Sequence, residues 1–182
     1  MTDSDEIHDG PTGQMLQDWA TVLPDIETTS FSVQLRIAEI DSLAIRTTNK
    51  IAAGYSINHV DVRLLMAIKR AEQETPIRPS DLWRRFDIAP SAITRRVDRL
   101  FDLGLVERTP HPTDRRGFYV KLTNKGQKTT AEIVSAFHAA TLQNMSEVDS
   151  LPGGRQMLDK LLGALLRGWA GADETPATAP EA

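Results

Sequence analysis

The run SAITRRVDRLFDLGLVER, residues 91–108, holds an amphipathic helix, a glycine stop and the opening of a strand. Ile93, Val97 and Leu100 recur at i, i+4, i+7 and share one helical face. At about 100° per residue, Ser91, Arg95, Asp98, Arg99 and Asp102 point the other way, with Thr94 on the flank. A helix divided like this buries one side against a neighbour and leaves a cationic side for something else. Gly104 comes directly after Leu103, where glycine suits the left-handed residue that closes a helix.

On the N-terminal side, Pro79 fits the first position of a helix from Ser80 to Phe86, because the missing N–H costs nothing there. Asp87-Ile88-Ala89-Pro90 makes a turn into the helix already described. On the C-terminal side, Leu105 to Thr109 reads as a strand and Pro110 to Gly117 as a loop. Phe118, Val120 and Leu122 alternate with Tyr119 and Lys121, the period of a half-buried strand. Two short helices, a tight turn and a strand–loop–strand form the order of a winged helix-turn-helix. Its logic is steric, since the major groove of DNA is just wide enough for an α-helix. Arg95 lies in the first turns of the second helix, and a bidentate arginine–guanine contact is worth about 1–3 kcal/mol of discrimination. A solvated i, i+4 pattern beside Asp98 and Asp102 is the plainer reading of Arg95 and Arg99 taken alone. The loop adds weight to DNA, because Arg115 and Arg116 stand at a hairpin tip that can reach a narrow minor groove. Asp114 reads as structural, turning the loop or pairing with a nearby arginine.

The net charge of −4 hides a strong asymmetry. From Arg78 to Lys128 there are twelve cations against six acids, a balance of +6, which leaves −10 for the remainder. A phosphate backbone responds to the local field, because screening acts over about 8–10 Å in physiological salt. The chain has no cysteine, which excludes disulfides, thiolate zinc sites and cysteine redox switches. No basic-then-apolar leader stands at the N-terminus, and runs such as Leu64-Leu65-Met66-Ala67-Ile68 fall far short of the roughly 20 residues that span a bilayer. A soluble, cytoplasmic protein without membrane contact is expected.

Further out, residues 1–12 are polar and acidic and read as a disordered tail. Met15, Leu16, Trp19 and Leu23 fall near one face of a short helix from Gly13, ended by Pro24. Thr28-Thr29-Ser30 offers hydroxyl caps to a helix reaching about Ala53, with Gly54 as its stop. Residues 13–57 thus form N-terminal helices. The next helix starts after the cap residue Asn58 and buries Val62, Leu65, Met66 and Ile68. The winged helix-turn-helix occupies residues 58–126. Thr123 or Asn124 then caps a long helix through Ile133, Val134 and Phe137 to about Val148. Pro152-Gly153-Gly154 breaks the chain. A last helix carries Met157, Leu158, Leu161, Leu162, Leu165, Leu166 and Trp169, within a C-terminal helical region of residues 127–170. Residues 171–182 read as a second disordered tail. The apolar stripe of the last helix is too broad for a solvated surface and calls for a shared core between two copies, or for packing within one chain. The fold class is mainly α with a small β-wing, a winged helix-turn-helix flanked by N- and C-terminal dimerisation helices.

Residues 91–108 closely resemble the recognition helix and first wing strand of MarR-family regulators. Asp114-Arg115-Arg116-Gly117, followed by Val120-Lys121-Leu122-Thr123 and Gly126, is similar to that family's wing signature. The resemblance implies a homodimeric, sequence-specific transcriptional regulator, a repressor, on a palindromic double-stranded DNA operator. It puts Ser91, Thr94 and Arg95 at groove-facing positions and Arg116 at the wing tip. Arg84, Arg99 and Arg115 complete the candidate DNA contacts. Two departures stand out: Trp83 where family members often carry a small residue, and Ala89 where a hydroxyl residue commonly precedes the proline. The resemblance also implies release by a small effector, often aromatic, for which His59 and Arg63, one turn apart, and Arg46 could hold a carboxylate. A surface His and Arg is the bland reading of the same residues. Cysteine-based peroxide sensing is excluded by composition, and His8, His111 and His138 make no metal spacing. No cofactor is expected. Motifs of nucleotide-binding, hydrolase and zinc-dependent enzymes are missing from the sequence. The rival that remains is a winged helix that binds another protein without reading DNA.

Overall fold

A computed structural model describes residues 11–25, 27–71, 77–86, 89–111, 113 and 117–173, without the side chains of residues 11, 83–85, 172 and 173. Its elements are α1 (Pro11–Val22), α2 (Thr28–Ala53), α3 (His59–Ala71), α4 (Pro79–Phe86), α5 (Pro90–Asp102), β1 (Val106–Pro110), β2 (Phe118–Leu122), α6 (Asn124–Asn144), α7 (Ser146–Ser150) and α8 (Gly154–Asp173). The chain divides into two compact units, residues 1–137 and 138–182. The N-terminal helices and the winged part fall within the first of these units.

Two ends differ from expectation. Pro11 and Thr12, expected in the acidic tail, belong to α1, and α8 continues through Gly171 to Asp173. The other residues of both expected tails, 1–10 and 174–182, lie outside the described residues. Thr12 hydrogen-bonds Glu39, and Leu16 is buried against the second helix. Trp19 meets Phe31 edge-on with ring centroids 6.3 Å apart.

A carboxylate, not the expected hydroxyls, caps α2. Glu27 accepts the backbone N–H groups of Thr29 at 2.8 Å and Ser30 at 2.7 Å. Hydrogen bonds from Ser30 and then Thr29 hold its carboxyl at about 2, down from 4.5. The cap of α3 is as expected, with the Asn58 side-chain oxygen accepting the N–H groups of Val60 and Asp61 at 3.0 and 3.2 Å. Val62, Leu64, Leu65, Ala67 and Ile68 are buried, but Met66 is not. Met66 and Arg63 fall on the narrow arc of α3 that faces away from the core.

The core lies among α3, α4, α5 and the wing, where Leu65, Leu82, Ile93, Leu100, Val106 and Val120 are buried. β1 and β2 pair antiparallel from Val106↔Leu122 to Pro110↔Phe118. An unexpected third contact joins them: Ile77, ahead of α4, bridges Val120, whose N–H donates to the Ile77 carbonyl at 2.9 Å. Gly104 takes φ +67° at the end of α5, as its position required. Gly126 packs so tightly that a Cβ there would come within 1.9 Å of the Leu105 carbonyl oxygen. The long helix expected to reach Val148 is interrupted at Met145, with no proline or glycine to mark the break. In the second unit, Arg155 donates to Asp149 at 2.6 Å. Met157, Leu161, Leu166 and Trp169 of α8 are all more than half exposed.

Candidate nucleic-acid interface

The helix α5 is positioned from beneath. Ile93, Val97 and Leu100 are fully buried, which fixes its rotation about its own axis. Ser91, Thr94 and Arg95 are therefore exposed together at its N-terminal end. The cap residue is Ala89, not Ser91. Its carbonyl accepts the N–H groups of Ala92 at 2.9 Å and Ile93 at 3.2 Å, and no side chain closes the helix start. The Thr94 hydroxyl donates to the Pro90 carbonyl at 3.1 Å, and Arg95 Nε to the Ser91 carbonyl at 3.3 Å. Both contacts are exposed and local, so both side chains can turn outward at small cost.

The other arginines of α5 are used differently. Arg99, expected on the outer face with Arg95, donates to the Ser56 carbonyl at 2.5 Å and stands 3.8 Å from Asp61. Arg96 was not singled out by sequence reasoning, yet it anchors α5 to a buried acid. Its guanidinium reaches Asp61 at 2.8 Å and Asn58 at 3.2 Å. Asp61 is fully buried and also accepts the Asn58 N–H at 3.1 Å. The available signal was Asp61 itself, an acid in the middle of the buried arc of α3, which demands a cationic partner. Through these contacts α5 is tied to the α2–α3 turn, where Ser56 takes φ 60°.

At the wing, Arg108 of β1 ion-pairs with Asp98 of α5. Arg78 contacts His111 and lies 5.7 Å from the ring centroid of Tyr119. The hairpin narrows past Pro110↔Phe118 to a His111 N–H···Gly117 carbonyl bond of 3.1 Å. Asp114, Arg115 and Arg116 lie outside the described residues, as does the side chain of Arg84, which belongs to α4.

The candidate effector residues are not drawn to one partner. Arg63 stands 5.0 Å from the Phe86 ring centroid, and Arg46 donates to Ser42 on its own helix at 3.2 Å. His59 is half-buried, and its backbone N–H donates to the Asn49 side chain at 2.8 Å. Among the described residues no group of three His, Cys, Asp or Glu could hold a metal ion, and no helix is long and apolar enough to cross a membrane.

Two consecutive helices, the second with an exposed polar face, and a two-stranded hairpin define a winged helix-turn-helix protein. Residues 57–118 match the MarR family. The chain is 27% identical over 112 residues to the HTH-type transcriptional regulator PecS of Dickeya dadantii, covering 62% of this chain and 68% of that protein. It is 30% identical over 113 residues to an HTH-type transcriptional regulator of Mycobacterium tuberculosis, covering 62% of this chain and 76% of that one. Against the multiple antibiotic resistance protein MarR of Escherichia coli identity is 36% over 81 residues, 44% of this chain and about half (54%) of that protein. A crystal structure of a C80S mutant of that protein complexed with operator DNA superposes with a TM-score of 0.61 at 25% identity, covering 81% of this chain and 97% of the other. The chain belongs to the MarR family, whose members are transcription regulators and not enzymes.

Proposed function

We propose that this chain is a cytoplasmic homodimeric repressor that reads a palindromic operator with two copies of α5 and releases it when a small aromatic carboxylate binds. One observation carries the reading: Ser91, Thr94 and Arg95 are exposed together on a helix whose opposite face is fully buried. Such a helix has one free face of polar hydrogen-bonding groups, which is what the major groove requires. Arg84, Arg99, Arg115 and Arg116 supply cations for the phosphates and the minor groove, Arg99 by leaving the Ser56 carbonyl. The helices of residues 13–57 and 127–170 supply the dimer scaffold, supported by the exposed apolar residues of α8. Arg46, His59 and Arg63 are the groups proposed to attract the effector's carboxylate.

Gel-shift titration of a random duplex pool at several salt concentrations tests this. A two-fold symmetric sequence should be selected, with affinity falling steeply as salt rises. Arg95→Ala should reduce discrimination at one base pair of each half-site by about 1–3 kcal/mol, whereas Arg116→Ala should weaken binding overall and reduce its salt slope. If both variants shift DNA as the wild type does, the assignment of these residues is wrong. Benzoate serves as the simplest effector probe: it should lower the shifted fraction in the wild type and do so less in Arg63→Ala.

A further inference from the structure

We propose that Arg108 is a positioning residue that sets the wing against α5 and thereby aims the wing-tip arginine; this rests on the DNA-binding reading above. Its guanidinium pairs with Asp98 and lies 4.9 Å from the ring centroid of Phe101 and 4.8 Å from that of Phe118. Asp98 and Phe101 belong to α5, Phe118 opens β2, and Arg108 itself stands in β1 opposite Val120. One planar cation thus touches the helix proposed to enter the groove and both strands of the hairpin. A guanidinium can do this because its edge serves a carboxylate while its faces meet aromatic rings, which a lysine ammonium cannot reproduce.

The place of the contact gives it leverage. A two-stranded ribbon is marginal on its own and follows whatever holds its base. Ile77 holds β2 at Val120. Phe118 is the last paired residue of β2 before the tip, so Arg108 holds the hairpin at the end nearer the tip. Phe101 is 46% exposed and stands outside the buried cluster, so the core does not account for a large ring at that position. The Arg108 side chain is only 33% exposed and is turned to Asp98, so it is a strut and not a free phosphate contact.

A double-mutant cycle with Arg116→Ala separates aiming from contact. The probe is the duplex that the wild type selects from the random pool, and binding is measured across a salt series. Arg108→Met should weaken binding about tenfold and lower the salt slope by about one phosphate. In the Arg116→Ala background the same change should cost less than twofold, because the tip it aims is already disarmed. Arg108→Lys should remain weakened, since it keeps the charge but not the plane. Thermal unfolding accompanies each variant. Phe101→Leu, at an exposed position, repeats the test with a smaller loss should Arg108→Met not fold. Additive losses of Arg108→Met and Arg116→Ala, or full recovery in Arg108→Lys, overturn the proposal while leaving the wing reading intact. An Arg116→Ala protein that binds like the wild type overturns the wing reading first, and this proposal with it.

Discussion

Glu27 works through its charge: as a carboxylate it accepts two orphan N–H groups at the start of α2, and as an acid it has one fewer lone pair to offer. Its folded pKa of about 2 lies below the ordinary 4.5, so its contribution is complete above about pH 5 and falls away as pH drops towards 2. Glu27→Ala should therefore lower the melting temperature at neutral pH, and the gap from the wild type should close in melts run from pH 5 down to 2. Arg96 acts through a buried partner. Removing it leaves the fully buried Asp61 carboxylate only the Asn58 N–H at 3.1 Å and the more distant Arg99 at 3.8 Å, so Arg96→Ala should cost about 2 kcal/mol in urea unfolding. Arg96→Ala combined with Asp61→Ala should recover part of that loss, because no lone charge is left inside. Additive losses in the double variant would show that the two side chains act separately.

At the scale of the elements, most of the fold was legible because proline and glycine punctuate it. Pro79 and Pro90 open α4 and α5, Gly104 closes α5, and a period of two marks β2. These signals are local, so a sequence displays them. The anchors of α5 were not legible in the same way. Asp61 and Arg96 are 35 positions apart, and only the folded chain shows that they meet. The Ile77–Val120 bridge is hidden for the same reason, being a single pair between a connecting segment and a strand. Arg95 and Arg99 looked equivalent at i, i+4, yet Arg99 lies over the α2–α3 turn and finds the Ser56 carbonyl. Arg99→Ala should accordingly lower thermal stability as well as DNA affinity, whereas Arg95→Ala should change binding with little effect on the melt. Equal melting temperatures for the two variants would show that the Ser56 contact adds nothing to the fold.

For the molecule as a whole, the exposed leucines of α8 set the expected state of assembly. Leu161 and Leu166 are 59% and 70% exposed, and burying such side chains is worth about 1.5–3 kcal/mol each. Leu161→Glu with Leu166→Glu should shift the sedimentation of the chain from two copies to one and weaken operator binding in parallel. Sedimentation of the wild type as one copy would remove the two-fold basis of the proposed operator reading. The positions of the tryptophans bear on how all of this can be watched. The sequence has three, on α1, α4 and α8, and Trp19 touches Phe31 while Trp169 is 57% exposed. Variants that keep a single indole would emit from α1, α4 or α8 separately. The chain thus carries its own optical labels, one on each of three helices, through which binding of the proposed effector or of DNA could be followed part by part.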